Sequence, residues 1–193
     1  MARMGLTTQR VTVAAADLAD EIGFEGVTVS AVARSFGVRD ASLYSHIKNV
    51  HDLRARVAVL ALAELAERVA AALAGRAGKD ALVAFANAYR AYAGEHPGRY
   101  AATRLQLEPE VAAASAAGRH AAMTRAILRG YALEEPDQTD AVRLLHSVFH
   151  GYVSLEGTGA FLNTPRAADA SWSRSLDALD MVLSNWPTAG RDR

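Results

Sequence analysis

The chain contains no cysteine. That excludes disulfides and thiolate metal sites, and it fits a reducing compartment. Net charge is missing as well, because 21 Lys and Arg balance 21 Asp and Glu. Nucleic-acid binders are usually basic, so any such role has to rest on a local cluster of cations. Long apolar runs are also lacking. The stretch from Val57 to Leu65 already contains Glu64, and none approaches the ~20 residues that a membrane span needs. The opening residues Met1 to Thr8 hold no apolar run that would serve as a secretory signal. The expectation is a soluble, cytoplasmic protein without a membrane partner. No phosphate-cradling glycine loop and no Gly-x-Ser-x-Gly elbow is present, so neither an enzyme nor a bound cofactor is expected.

Strict apolar–polar alternation, the mark of a half-buried strand, is absent too. What remains is helical periodicity in an alanine-rich chain. Val11, Ala14, Ala15, Leu18, Ala19 and Ile22 form one stripe, with Gly23 as a stop. Val29, Val32, Ala33 and Phe36 predict a shorter helix that Thr28 can cap. After Gly37 a third short helix is expected from Asp40 to His46, with Leu43, Tyr44 and Ile47 turned inward. Asn49 can cap a long fourth helix reaching Leu73, with Asp52 in its first turn. Further helices are expected over 80–96, through Tyr100 to Leu107, over 110–131, over 139–161 and within 168–186. Breaks are expected at Gly75 to Gly78, at Pro136 and at Asn163-Thr164-Pro165, and the tail after Pro187 reads as loose. The class is all-α with about nine helices. The expected division is a helix-turn-helix domain over 1–54 and a larger helical domain over 55–193.

Two short helices joined by a glycine turn inside a three-helix unit are the helix-turn-helix arrangement. The residues Arg10-Val11, Ala14-Ala15, Leu18, Gly23, Thr28, Val32-Ala33, Gly37-Val38, Ser42-Leu43-Tyr44, His46-Ile47 and Leu53 closely resemble the N-terminal domain of the TetR/AcrR family. The Leu43-Tyr44-x-His46 step after the glycine turn is the most specific part. Phe149-His150-Gly151, with Leu155-Glu156 and Gly159, resembles a branch whose C-terminal domain carries Trp-His-Gly, with phenylalanine in place of the tryptophan.

The resemblance implies a transcriptional regulator, mostly a repressor in this family. It would bind a double-stranded operator as a homodimer and respond to a small molecule. Arg39, Ser42 and Ser45 are the candidates to reach base edges. Tyr44, His46 and Lys48 match phosphate-contacting positions. Thr28 serves either as a cap alone or as a phosphate contact as well. Tyr44 is alternatively packing, and Asp40 is either an N-cap or a reader of cytosine. Many relatives carry lysine where Val50 stands, and His51, Arg54 or Lys48 would have to compensate.

In the larger domain the resemblance implies a dimer formed by the last two long helices, with Leu145, Tyr152, Leu155, Leu176, Leu179 and Leu183 as interface candidates. Their pairing would place two reading elements about one DNA turn apart, roughly 34–36 Å, over a palindromic operator. Tyr89, Tyr92, Tyr100, Arg104, Met123, Ile127, His146, Phe149 and His150 are candidates to line an effector pocket, and the aromatics among them serve equally well as core. His146 and His150 stand four apart on one helix face, a spacing that can hold zinc, but no carboxylate accompanies them in the usual protease pattern. No metal is expected.

Overall fold

The computed structural model describes residues 5–163 and 165–187. Among these residues the chain is all-helical, with nine α-helices and no strand. α1 spans Thr8–Ile22, α2 Val29–Ser35, α3 Val50–Leu73, α4 Gly78–Glu95 and α5 Pro97–Ala102. α6 spans Pro109–Ala114, α7 Ala117–Leu128, α8 Asp137–Gly157 and α9 Ala168–Ser184. The chain forms two compact units, one drawn from 1–67 and 92–118, the other from 68–91 and 119–193. Thr164, in the expected break, and the tail after Pro187 lie outside the described residues.

The first unit is built on α1. The Thr7 hydroxyl accepts from the Arg10 N–H at 3.2 Å and caps the helix, a bond typically worth ~1 kcal/mol. The helix buries Val11, Ala15, Ala16 and Ala19 completely. Small side chains on that face let neighbouring backbones come close. At Gly98 in α5 the approach is extreme, since a Cβ there would lie 1.9 Å from the Ala19 carbonyl oxygen. Only glycine fits such a gap. Pro97 opens α5 at the position where a missing N–H costs nothing. Arg99 then fastens α5 to α1: its backbone N–H and its guanidinium both donate to Asp20, each at 2.8 Å. The same guanidinium also reaches Asp17 and lies 3.5 Å from the Glu64 carboxylate. α2 is only seven residues long, well short of the length at which a helix holds by itself in water. It persists because Val32 and Ala33 are fully enclosed with Leu43, Ile47, Leu53 and Val57 in the same core.

The second unit closes around aromatic rings. Phe149 of α8 is wholly buried, 6.0 Å from the Phe85 ring and 5.9 Å from the Trp172 ring. The Trp172 indole N–H donates to the Asn87 side chain at 2.8 Å, which satisfies the one polar atom that the ring carries inward. Arg90 pairs with Glu156 and sits 5.7 Å above Tyr152 and 5.5 Å above Trp172. Lys79 to Asp177 and Tyr131 to Asp180, both at 2.8 Å, add links to α9.

Three expected helices come out differently. The one expected from Asp40 to His46 is a 3-10 turn over Asp40–Ser42 that continues as turns to His46. The one expected through Tyr100 to Leu107 is α5, which ends at Ala102. The expected helix over 110–131 is split into α6 and α7. Ser115 adopts extended backbone angles, donates its hydroxyl to the Ala112 carbonyl at 2.7 Å and accepts from the Ala117 N–H at 3.2 Å. A serine that satisfies the backbone in this way competes with the helical ladder.

Candidate nucleic-acid interface

All the residues considered for DNA contact lie in the first unit. Thr28 is exposed, and its hydroxyl accepts from the Ala31 N–H at 3.1 Å, so it caps α2. The turn after α2 closes with Gly37 donating to the Arg34 carbonyl and Val38 to the Ala33 carbonyl, each at 3.0 Å. Gly37 has φ +64°, a left-handed conformation that glycine adopts without strain. Beyond it Leu43 is completely buried and Ile47 nearly so. These two anchors face the core and set the opposite side of the segment outward. Arg39, Ser42, Ser45 and Lys48 are exposed, and His46 is half-buried. Tyr44, which a regular helix would have turned inward, is 55% exposed. The 3-10 turn covers only Asp40–Ser42, and Tyr44 follows it in a further turn that leaves its ring outside the core.

Hydrogen bonds hold this outward segment at both ends. The Ser30 hydroxyl donates to the Asp40 carboxylate, which ties α2 to the start of the segment. Asp40 makes no side-chain cap, and Arg39 occupies the cap position of the 3-10 turn. At the other end the Thr8 hydroxyl donates to the His46 carbonyl at 3.3 Å. The Lys48 N–H donates to Asp52 at 2.9 Å, and the Asn49 side chain accepts from the Asp52 N–H at 2.9 Å. That exchange is a reciprocal cap on α3. Partial burial raises the Asp52 pKa, but the Arg56 hydrogen bond, the Lys48 N–H and the charges of Arg56 and Lys48 outweigh it, so the carboxyl sits below its ordinary value.

Arg54 is not available to stand in for a lysine at position 50. Its guanidinium donates to the carbonyls of Val27 at 3.2 Å and Glu25 at 2.5 Å, and pairs with the Glu25 carboxylate at 3.1 Å. His51 and Lys48 remain exposed.

The pocket candidates are scattered. Tyr92, Tyr100 and Arg104 belong to the first unit. Tyr92 is 2% exposed, and its phenol donates to Glu64 at 3.0 Å. Burial first, and then the Glu64 charge, push its pKa well above the usual tyrosine value. Tyr92 is thus core with a satisfied hydroxyl; Tyr100 is buried too, whereas Arg104 is exposed. In the second unit Phe149 and Ile127 are buried, while Tyr89, Met123, His146 and His150 are half-buried. The Thr124 hydroxyl lies 3.4 Å from His146 Nε2, and the Ser154 hydroxyl 3.3 Å from His150 Nδ1. Among the described residues no group of three or more His, Cys, Asp or Glu side chains is placed to hold a metal.

Burial corrects the expected dimer contacts. Leu145, Leu176, Leu179 and Leu183 are at most 6% exposed. They are enclosed by their own chain and hold the second unit together, so they offer no surface to another subunit. Tyr152 is half-buried, with its hydroxyl donating to the Ala168 carbonyl at 2.5 Å. Leu155 is 50% exposed, and in the same unit Met181 and Val182 also stand outward, at 67% and 43%. The apolar stripe on each helix is real, but its innermost residues serve the fold. No local spacing points to the Asp17, Asp20, Glu64 and Arg99 cluster, whose members are up to 82 positions apart.

No helix among the described residues is long and apolar enough to cross a membrane. Residues 11–57 match the tetR family of bacterial regulatory proteins, and residues 82–179 match the tetracyclin repressor-like C-terminal domain. An HTH-type transcriptional regulator of Mycobacterium tuberculosis is 35% identical over 158 residues, covering 80% of this chain and 72% of that protein. The HTH-type regulator YobS of Bacillus subtilis is 32% identical over 159 residues, covering 82% and 83%. The crystal structure of PfmR, a TetR family transcriptional regulator from Thermus thermophilus, superposes with a TM-score of 0.66 at 25% identity, covering 91% of this chain and 96% of that one. These are regulators and not enzymes, and with both halves matched the chain belongs to the TetR family of DNA-binding transcriptional regulators.

Proposed function

We propose that the protein is a cytoplasmic repressor that binds a palindromic operator as a homodimer and leaves it when a small, largely apolar effector binds. The observation that carries this reading is the outward segment from Arg39 to Lys48, whose apolar anchors Leu43 and Ile47 are sealed in the core while its polar side chains face solvent. Arg39, Ser42 and Ser45 reach base edges, and Arg39 has the fork that pairs with guanine. Thr28, Tyr44, His46 and Lys48 position the segment on phosphates. In functional terms residues 1–54 bind DNA, and 55–193 bind the effector and dimerise.

Tyr89, Met123, His146 and His150, half-buried in the second unit, are the favoured effector contacts. Leu155, Met181 and Val182 are the favoured partner contacts, since their exposure leaves them able to meet a second copy. Release requires an effector with different affinities for the two conformations of the regulator. A coupling of ~1–3 kcal/mol would lower operator affinity roughly 5–150-fold.

The test is a mobility-shift titration on DNA flanking the protein's own gene. Wild type should shift a palindromic fragment. Arg39→Glu with Lys48→Glu should abolish the shift, and removing the Lys48 phosphate contact alone should lower the salt slope by about one. Unchanged affinity in the double variant would overturn the assignment of this face.

A further inference from the structure

Within the first unit, between α1, α3 and α6, lies a groove of about 650 Å³ that the proposed regulator does not use. Its apolar walls are Val13 of α1, Ala55, Val59, Leu60 and Ala63 of α3, and Val111 of α6. Val13 and Val111 are 39% and 38% exposed, so the apolar lining is open to solvent. The volume falls in the range that holds a drug-sized molecule. A protein partner would have to bury roughly 800 Å² on each side.

One end of the groove is polar. Asp52 and Arg56 line it. Asp52 is satisfied, because its carboxylate already accepts from the Lys48 N–H at 2.9 Å and from Arg56 Nε at 3.0 Å. Arg56 spends only Nε on that bond, and its side chain is 39% exposed. Among the described residues its two terminal nitrogens make no hydrogen bond, and such a donor pair matches a carboxylate in geometry.

We propose that this groove binds a small anionic amphiphile, with its carboxylate on Arg56 and its apolar body along Val13, Val59, Leu60 and Val111. Two of the lining residues also hold the DNA-facing segment, since Thr8 donates to the His46 carbonyl and Asp52 accepts from the Lys48 N–H. An occupant would therefore touch the side chains that fix both ends of the stretch from His46 to Lys48. The site is separate from the effector contacts favoured above, and its existence does not depend on them.

The experiment titrates the full chain with decanoate, decanol and inorganic phosphate, using calorimetry and backbone amide shifts. Decanoate should saturate a site and shift amides in 8–13, 52–63 and around 111. Decanol and phosphate should each bind at least tenfold more weakly. Arg56→Gln should weaken decanoate at least tenfold, and Val59→Trp, which fills the groove, should abolish that site. Amide shifts confined to the second unit, equal binding of decanol, or equal binding of phosphate, which would mean an adventitious ion only, each overturn the proposal. So does unaltered decanoate binding in both folded variants. The wild-type amide map is decisive even if a variant does not fold.

Discussion

Gly98 and Gly94 are four residues apart and should answer the same substitution in opposite ways. A Cβ on Gly98 would run into the Ala19 carbonyl at 1.9 Å, and backbone has no rotamer to escape through. Gly98→Ala should destabilise the protein by about 3 kcal/mol or more, the upper range for overpacking. Gly94 lies in α4 with nothing within 4 Å of where a Cβ would stand. Gly94→Ala should be neutral or stabilising by about 0.5–1 kcal/mol. Denaturant unfolding of the two variants decides the matter. Similar midpoints would mean that α5 does not sit on α1 this closely. Ala19, whose carbonyl meets Gly98, is itself fully buried, as are Ala15 and Ala16 on the same helix.

Among the helices, the start of α3 carries a dependence on acidity. The Asp52 pKa is lowered in the folded state. A lowered carboxyl contributes stability that is fully present above its unfolded value, about 3.9, and is lost as pH falls below that toward the folded value. Thermal unfolding between pH 6 and pH 3 should show that loss, and Asp52→Asn should lower the melting temperature at pH 6 while flattening the decline below pH 4. An unchanged decline would place the acid sensitivity elsewhere. The Asn49 and Asp52 cap was legible in the sequence, because capping is a matter of spacing within four residues. So were the existence of most helices and the turn at Gly37, which rest on period and on one glycine. The third helix was not. Leu43 and Ile47 satisfy a helical period, but Ser30 draws off the Asp40 carboxylate, and the segment closes as a 3-10 turn. The break at Ser115 escaped for a related reason, since a serine inside an alanine run reads as helix until its hydroxyl is seen on two backbone groups. Of the residues proposed to face DNA, Arg39, Ser42 and Ser45 were expected on the polar side of the segment and are exposed. Tyr44 was the exception, because its inward direction assumed a helical winding that the segment does not have.

At the scale of the whole molecule, a stripe of leucines shows a face but not a depth. Periodicity identifies the apolar sides of α8 and α9, yet Leu145, Leu176, Leu179 and Leu183 are interior. The distinction can be measured. For the proposed homodimer, Met181→Glu with Val182→Glu should leave the subunit folded and shift it from dimer to monomer in sedimentation, because both side chains are exposed. Leu179→Ala should instead lower unfolding free energy by about 2–5 kcal/mol, as truncation in a core does. A dimer that survives the double glutamate would move the contact to another face.

The stretch proposed to face DNA is anchored by just two buried side chains, Leu43 and Ile47, and contains no full helical turn ladder of its own. Segments with so few enclosed contacts open locally at a small fraction of the global unfolding free energy. Its amide protons, from Ala41 to His46, should therefore trade with deuterium far sooner than those of Val11 to Ala19. Gripping a duplex would have to quench that breathing. Part of each binding event is then spent on order, and off its target the protein arrives at DNA with a reading surface still partly undecided.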